Sequence, residues 1–200
     1  AIFPGIFSSL DAVTKRSTNR SFSIKNRIPG WLPITDIVGV EEGDTYFKLP
    51  VEYGGWVLIG KPDDIFKTKD GAYHIVDYKT AKFTARQDEL FPLYEVQLNC
   101  YTFLAQKYGF EPVTKLSLIY CEPNENLDND EEFRLSFKTY NLEVDLNLHI
   151  VPALLIKARE IVEQTEPPLS RNNCKGLCQW VDKIIKEKEI GKTNASPYAY

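Results

Sequence analysis

The segment Tyr73-His74-Ile75-Val76-Asp77-Tyr78-Lys79, with Gly60-Lys61-Pro62-Asp63 upstream of it, decides the fold. It reads as a buried strand, set off by the turn Lys69-Asp70-Gly71, β-prone through Val76 and polar at its end. Side chains two apart on a strand share a face, so Asp77 and Lys79 are expected to project together while Tyr78 faces the opposite way. Further upstream, Thr45 to Val51 and Gly55 to Ile59 flank Tyr53-Gly54-Gly55, a hairpin pattern whose second strand runs into Gly60-Lys61-Pro62-Asp63-Asp64. Asp63 is thereby expected beside Asp77 and Lys79. Two converging carboxylates bind hard cations such as Mg²⁺, with phosphate and water completing the coordination. A metal so held activates water and offsets charge developing on phosphorus, and a neighbouring Lys can orient the water or stabilise the transition state. The competing reading is an ordinary ion pair at a strand end, worth only about 0 to 1 kcal/mol when exposed. Asp64 is a weaker candidate than Asp63, because successive strand residues face opposite ways.

Outward from this stretch, Leu93 to Lys107 has apolar residues at helical spacing, with Val96, Cys100, Phe103 and Leu104 on one face and Gly109 placed to stop it. Leu116 to Cys121 reads as a strand, Phe133 to Phe137 as another, and Val144 to Glu163 as a long amphipathic helix disturbed at Pro152 and ended by Pro167-Pro168. A charged helical tail over Leu177 to Glu189 follows. Before the hairpin, a short helix near Phe7 to Lys15 gives way to a loop containing Pro29-Gly30 and Pro33. Strands, an acidic turn, a strand, a helix and another strand make an α/β fold, a mixed central sheet flanked by helices. At 200 residues and 43% hydrophobic, residues 1–200 are expected to form a single domain.

The net charge of -4 argues against wholesale coating of nucleic acid, but the charge is unevenly spread. Between Asp11 and Asp36 there is no acid, while Lys15, Arg16, Arg20, Lys25 and Arg27 are basic. That stretch is either a solvated segment or a phosphate-contacting edge. Four cysteines are too few and too scattered for a disulfide framework, so a reducing compartment fits. With no apolar run near 18 residues and no signal-peptide layout, a soluble cytoplasmic protein without membrane contact is expected. The sequence contains no Met, as a fragment or processed chain would allow.

Three linked pieces resemble the PD-(D/E)XK nucleases, and within them the RecB-like branch that includes the CRISPR-associated iron-sulfur exonucleases. Gly60-Lys61-Pro62-Asp63 looks like the family's Gly-x-x-Asp. Val76-Asp77-Tyr78-Lys79-Thr80 looks like its apolar-Asp-Tyr-Lys-Thr strand, and Gln97-Leu98-Asn99-Cys100-Tyr101 like its Gln-x-x-x-Tyr helix. The resemblance implies a restriction-endonuclease-like core over about residues 44–121, with a C-terminal helical part over about 144–190. It implies Asp63 and Asp77 as ligands of Mg²⁺ or Mn²⁺, the Tyr78 backbone carbonyl as a third, and Lys79 as the catalytic lysine. Gln97 and Tyr101, four apart on one helical face, would approach the site or the DNA backbone. The implied activity is a metal-dependent DNA exonuclease acting on single strands or ends. The alternative is a nucleic-acid-binding or assembly protein that keeps the fold without turnover.

Two departures from the family pattern stand out. The family usually places a Glu or His on an N-terminal helix as a further ligand. Here the only histidines are His74 and His149, no upstream Glu sits on an expected helix, and Glu52 is a conceivable substitute; otherwise the first motif is degenerate or is supplied by residues preceding Ala1, or the site works with fewer protein ligands. The iron-sulfur relatives use one upstream and three C-terminal cysteines, whereas only Cys174-x-x-x-Cys178 stands near this C-terminus. An iron-sulfur cluster is therefore not expected. Cys100 and Cys121 read as small apolar residues.

Overall fold

The computed structural model describes residues 5–41, 45–87, 89–127, 131–166, 180, 181, 183 and 184. Its contacts divide the chain into two compact units, Ala1–Ile156 and Lys157–Tyr200.

The first unit is built on a five-stranded sheet. Strands β1 (Ile37–Val40), β4 (Asp64–Thr68), β5 (Tyr73–Lys79), β6 (Val113–Pro123) and β7 (Phe137–Val144) lie side by side in that order. Only β5 and β6 are parallel, so the sheet is mixed. A parallel pair needs a long crossover, which is supplied by helix α2 (Phe91–Lys107). A separate hairpin, β2 (Phe47–Val51) and β3 (Trp56–Gly60), turns through Tyr53–Gly55, where Gly54 and Gly55 take φ of 68° and 65°. That conformation favours glycine and fixes the turn.

The alternation of β5 sorts the core into two halves. Ile75 joins Ile65, Leu116, Leu118 and Tyr120 under α2, against Leu98, Leu104 and Ala105. Val76 and Tyr78 face the other way, into a cluster with Phe66, Ile119, Leu32 and Ile34. Helix α1 (Gly5–Lys25) meets this second half through Thr18, which is fully buried and lies 3.3 Å from the Tyr78 hydroxyl. The mixed α/β architecture expected from the sequence is thus the observed one.

Several elements differ from the sequence reading. Helix α1 does not stop at Lys15 but runs to Lys25, across the stretch expected to be loop. It lacks a broad apolar stripe. Ser9, Thr14 and Thr18 donate their hydroxyls to carbonyls one turn back, absorbing polar groups that otherwise argue for a loop. Strands β1 and β4 were not anticipated, the latter because Asp63-Asp64 reads as the end of a strand when Asp64 in fact opens one. The strand expected over Phe133 to Phe137 lies later, at Phe137–Val144, and Phe133 is exposed. The long helix begins at Ile150 rather than Val144, so α3 (Ile150–Val162) carries Pro152 in its first turn, where a missing N–H has no intrahelical acceptor to lose. Before it, Asn99 on α2 donates to the Asp145 carbonyl and accepts from the Asn147 amide, holding that segment out of the helix. The buried side of α2 is formed by Leu98, Thr102, Leu104 and Ala105, while Val96, Cys100 and Phe103 are only partly covered.

Cys174 and Cys178, Pro167-Pro168 and most of the expected tail helix lie outside the described residues. Among the described residues, no helix is long and apolar enough to cross a membrane.

Candidate active site

The site grows from the end of β5. On the α2 side, Lys79 Nζ lies 2.6 Å from Asp77 Oδ2. Both come from one strand face, and α2 covers them from above. Gln97 Nε2 donates to Asp77 Oδ1 at 3.4 Å and to the Tyr101 hydroxyl at 2.7 Å, and Lys79 donates to Gln97 Oε1 at 3.3 Å. The Lys79 ammonium also sits 4.2 Å from the centre of the Tyr94 ring. Gln97 and Tyr101 therefore approach the Asp77–Lys79 pair from a single helical face, as their spacing requires.

Asp63 arrives from the other direction. It sits just before β4, the strand that pairs with β5, and not at the end of the hairpin. Its Oδ2 accepts the Tyr78 backbone N–H at 2.8 Å, which ties the carboxylate to the peptide unit between Asp77 and Tyr78. Its Oδ1 lies 2.6 Å from Lys15 Nζ on α1. The same ammonium is 3.1 Å from Asp11 Oδ2.

The glycine of the Gly-x-x-Asp piece has a packing role. A Cβ on Gly60 would stand 2.8 Å from Leu104 Cδ1 and 2.9 Å from Tyr101 Cδ1. Only glycine lets the end of β3 pass this close to α2, beneath the side chain that holds Gln97.

Burial shapes the charges. Asp77 is 4% exposed, and its carboxyl is pushed up to about 6, chiefly by loss of water and next by the negative charge of Asp63, with Lys79 opposing both. Burial alone would lower the Lys15 ammonium, but its hydrogen bonds and charge pairing with Asp63 and Asp11 outweigh that and hold its pKa above the ordinary value. Asp64 behaves differently from Asp63. It is buried on the opposite side, accepts the Tyr78 hydroxyl at 2.6 Å, and is pushed up to about 7 by burial, the Tyr78 hydrogen bond opposing. It braces Tyr78 against the sheet and does not join Asp77.

The donor set fits a hard divalent cation. Two carboxylates are brought to one peptide unit, and the charge of Asp63 already raises Asp77, a repulsion that a cation between them would relieve. No group of three or more His, Cys, Asp and Glu side chains among the described residues is arranged to hold a metal. Glu52 does not supply the missing ligand. It is exposed at the turn of the hairpin, opposite the end where Phe47 pairs with Gly60, roughly 14 Å away along the strand.

Sequence reasoning missed Lys15 and Asp11. The i, i+4 spacing of Asp11 and Lys15 is visible in the sequence, but nothing local ties that pair to Asp63. Asp11 is the acid that α1 brings to this end of the sheet, and it reaches Asp63 through Lys15. Cys100 and Cys121 are both half-buried, and burial pushes their thiols up, as expected for small apolar residues.

Among curated proteins none matches this chain. The crystal structure of SSO0001 is similar at a TM-score of 0.45 and 15% identity, over 79% of this chain and 62% of that one, too weak a likeness to carry weight. The family comparison is of another order: the model of the PD-(D/E)XK nuclease superfamily matches residues 16–183, which takes in Asp63, Asp77, Lys79, Gln97 and Tyr101, and the chain belongs to that superfamily.

Proposed function

We propose that this chain is a metal-dependent nuclease of the RecB-like branch, hydrolysing phosphodiester bonds of DNA at single strands or ends. The observation that carries this reading is the hydrogen bond from the Tyr78 amide to Asp63, which places a second carboxylate beside the Asp77–Lys79 pair. In this reading Asp63, Asp77 and the Tyr78 carbonyl hold Mg²⁺ or Mn²⁺. The metal, when bound, supplies Lewis-acid activation of water and charge neutralisation at phosphorus. Lys79 stabilises the negative charge of the transition state from the same strand face. Gln97 bridges Asp77 and Lys79 and keeps both side chains oriented, and Tyr101 fixes the Gln97 amide. The superfamily supports phosphodiester chemistry in general terms. The DNA substrate and the preference for ends rest on the RecB-like motif spacing.

The purified chain should convert end-labelled single-stranded DNA to short products in Mn²⁺ and leave it intact in EDTA. A ladder growing from one end identifies an exonuclease. Absence of cleavage in Mg²⁺ and Mn²⁺, with single-stranded, duplex and RNA substrates, would overturn the reading. A second reading, a nucleic-acid-binding or assembly protein without turnover, is favoured by one observation. Lys15 already covers Asp63 Oδ1, where a metal would have to sit.

A further inference from the structure

Two adjoining cavities lie on the α1 side of the sheet and are not used in the chemistry above. One of about 890 Å³ runs between α1 and the segment 27–31. Arg16, Arg20, Lys25 and Arg27 line it, and among the described residues of its wall there is no Asp or Glu. The second, of about 240 Å³, shares Val13, Ser17 and Trp31 with the first and is closed by Phe137, Cys121 and Thr80. Trp31 packs with Tyr78 and Thr80 follows Lys79 in sequence, so the pair of cavities runs from the basic face of α1 along the Tyr78 side of the sheet, the face opposite Asp77 and Lys79, near the chain end of β5.

Trp31 stands where the two cavities meet. Its indole N–H donates to Ser17 Oγ at 3.1 Å, its carbonyl accepts the Thr139 hydroxyl at 2.5 Å, and its ring packs 6.2 Å from that of Tyr78. It is a fixed aromatic wall, with guanidinium groups on one side and a small apolar recess on the other. Arg16 and Arg20 are both exposed and four apart on α1, so they project along one line.

An anion is what a wall of four basic residues without an acid attracts. An anion with flat apolar units between its charges is what the recess adds. Single-stranded nucleic acid has this alternation. Its phosphates track cationic grooves while unpaired bases stack on aromatic side chains, each worth about 1 to 3 kcal/mol. A duplex keeps its bases paired inside and cannot fill the recess. Resting on the nuclease reading, we propose that the two cavities form a binding groove for single-stranded nucleic acid, with phosphates on Arg16 and Arg20 and an unpaired base against Trp31.

The test uses the full chain in EDTA, so that binding is read without turnover. A fluorescein-labelled oligothymidylate should bind more tightly than a duplex of equal length and should quench Trp31 fluorescence. Heparin, an anionic polymer without bases, should bind without that quench. Arg16→Glu with Arg20→Glu should weaken oligothymidylate binding by about tenfold or more. It should also reduce the slope of log affinity against log salt by roughly 1.4, two contacts at about 0.7 each for a single strand. The same reversal at the exposed Lys107 and Lys115, which line neither cavity, should change affinity by less than about twofold. Trp31→Phe should abolish the quench while the chain stays folded.

Unchanged affinity in the Arg16, Arg20 variant would overturn the groove. So would equal binding of the duplex, equal quenching by heparin, or a quench that survives Trp31→Phe. Binding and cleavage separate the two readings. A chain that binds the oligomer through this groove and never cleaves overturns the nuclease and keeps the groove. A chain that cleaves with Arg16 and Arg20 reversed as efficiently as the parent keeps the nuclease and overturns the groove.

Discussion

The Lys15 ammonium lies 2.6 Å from Asp63 Oδ1, the oxygen that the Tyr78 amide leaves over, so a motif carboxylate is neutralised by a cation from another element of the same chain. Asp77 is paired in the same way with Lys79. Each carboxylate thus has a lysine of its own, and the two lysines stand in different relations to a metal. Lys79 shares a strand face with Asp77 and can stay while the other oxygens of the site turn to a cation. Lys15 occupies Asp63 Oδ1, an oxygen that the proposed cation would need.

Replacing Lys15 should therefore tighten metal binding. Lys15→Met keeps the aliphatic stem and removes the charge, and Mn²⁺ affinity measured by calorimetry should rise by roughly tenfold, about the effect of one unit charge near a divalent ion in a partly hydrated site. Unchanged or weaker affinity would show that Lys15 supports the site and does not compete for it.

The elements that bring the candidate site residues together were legible because their signals are local. The alternation of Tyr73–Lys79 put Asp77 and Lys79 on one face and Tyr78 on the other, and the i, i+4 spacing put Gln97 with Tyr101. What could not be read was whatever depends on a partner distant in sequence. Strand β4 opens on Asp64, a buried carboxylate that makes sense only once the Tyr78 hydroxyl is seen to reach it. Helix α1 is hydroxyl-rich and weakly amphipathic, and its inward contacts, Lys15 to Asp63 and Thr18 to Tyr78, are polar. No apolar periodicity announces such a helix. Asp11 escaped notice for the same reason, since it reaches Asp63 only through Lys15.

Gly60 should tolerate no side chain. The Cβ of Gly60→Ala would press on Leu104 and Tyr101, both packed under the hairpin, at distances that force a shift. Overpacking of this kind costs about 1 to 3 kcal/mol, and here it also displaces the Tyr101 hydroxyl from Gln97. Urea unfolding should show the loss. A variant as stable as the parent would mean that α2 sits more loosely on β3 than the geometry indicates.

Stability without metal should fall as pH rises. Asp77 and Asp64 both have folded pKa values raised, to about 6 and about 7, chiefly by burial. A raised pKa means protons are held more tightly in the folded state. The stabilisation is complete below the ordinary carboxylate range and is lost as pH climbs through 6 and 7. Asp64→Asn leaves Tyr78 an acceptor and removes the upper step, so the difference in unfolding free energy between pH 5 and pH 8 should narrow by up to a few kcal/mol. Equal losses in parent and variant would show that Asp64 ionises in the folded chain as easily as in the unfolded one. With Asp77 as the proposed ligand in its ionised form, metal affinity should move the opposite way. It should rise between about pH 5 and pH 7.

Asp77 and Lys79 stand 2.6 Å apart, yet they should fail in different ways. Asp77→Asn keeps the shape and removes the charge that would hold a cation, so metal affinity and cleavage should fall together, with excess Mn²⁺ restoring a little. Because Asp77 is buried beside Asp63 and its charge is already disfavoured, the neutral amide should leave the metal-free chain as stable as the parent or more so. Lys79→Ala leaves both carboxylates in place but strips Asp77 of its partner, which raises its pKa further, so metal binding must be compared near pH 8. Under those conditions the cation should still bind while cleavage drops by a factor on the order of 10² or more, the usual consequence of losing one electrostatic catalytic group. The metal-free Lys79→Ala chain should also melt earlier, because a buried carboxylate loses its ion pair, and added Mn²⁺ should recover part of that difference. Binding, chemistry and stability then separate into three measurements. Parental cleavage by Lys79→Ala would make Lys79 a structural ion-pair partner, and parental Mn²⁺ affinity in Asp77→Asn would remove Asp77 from the metal site.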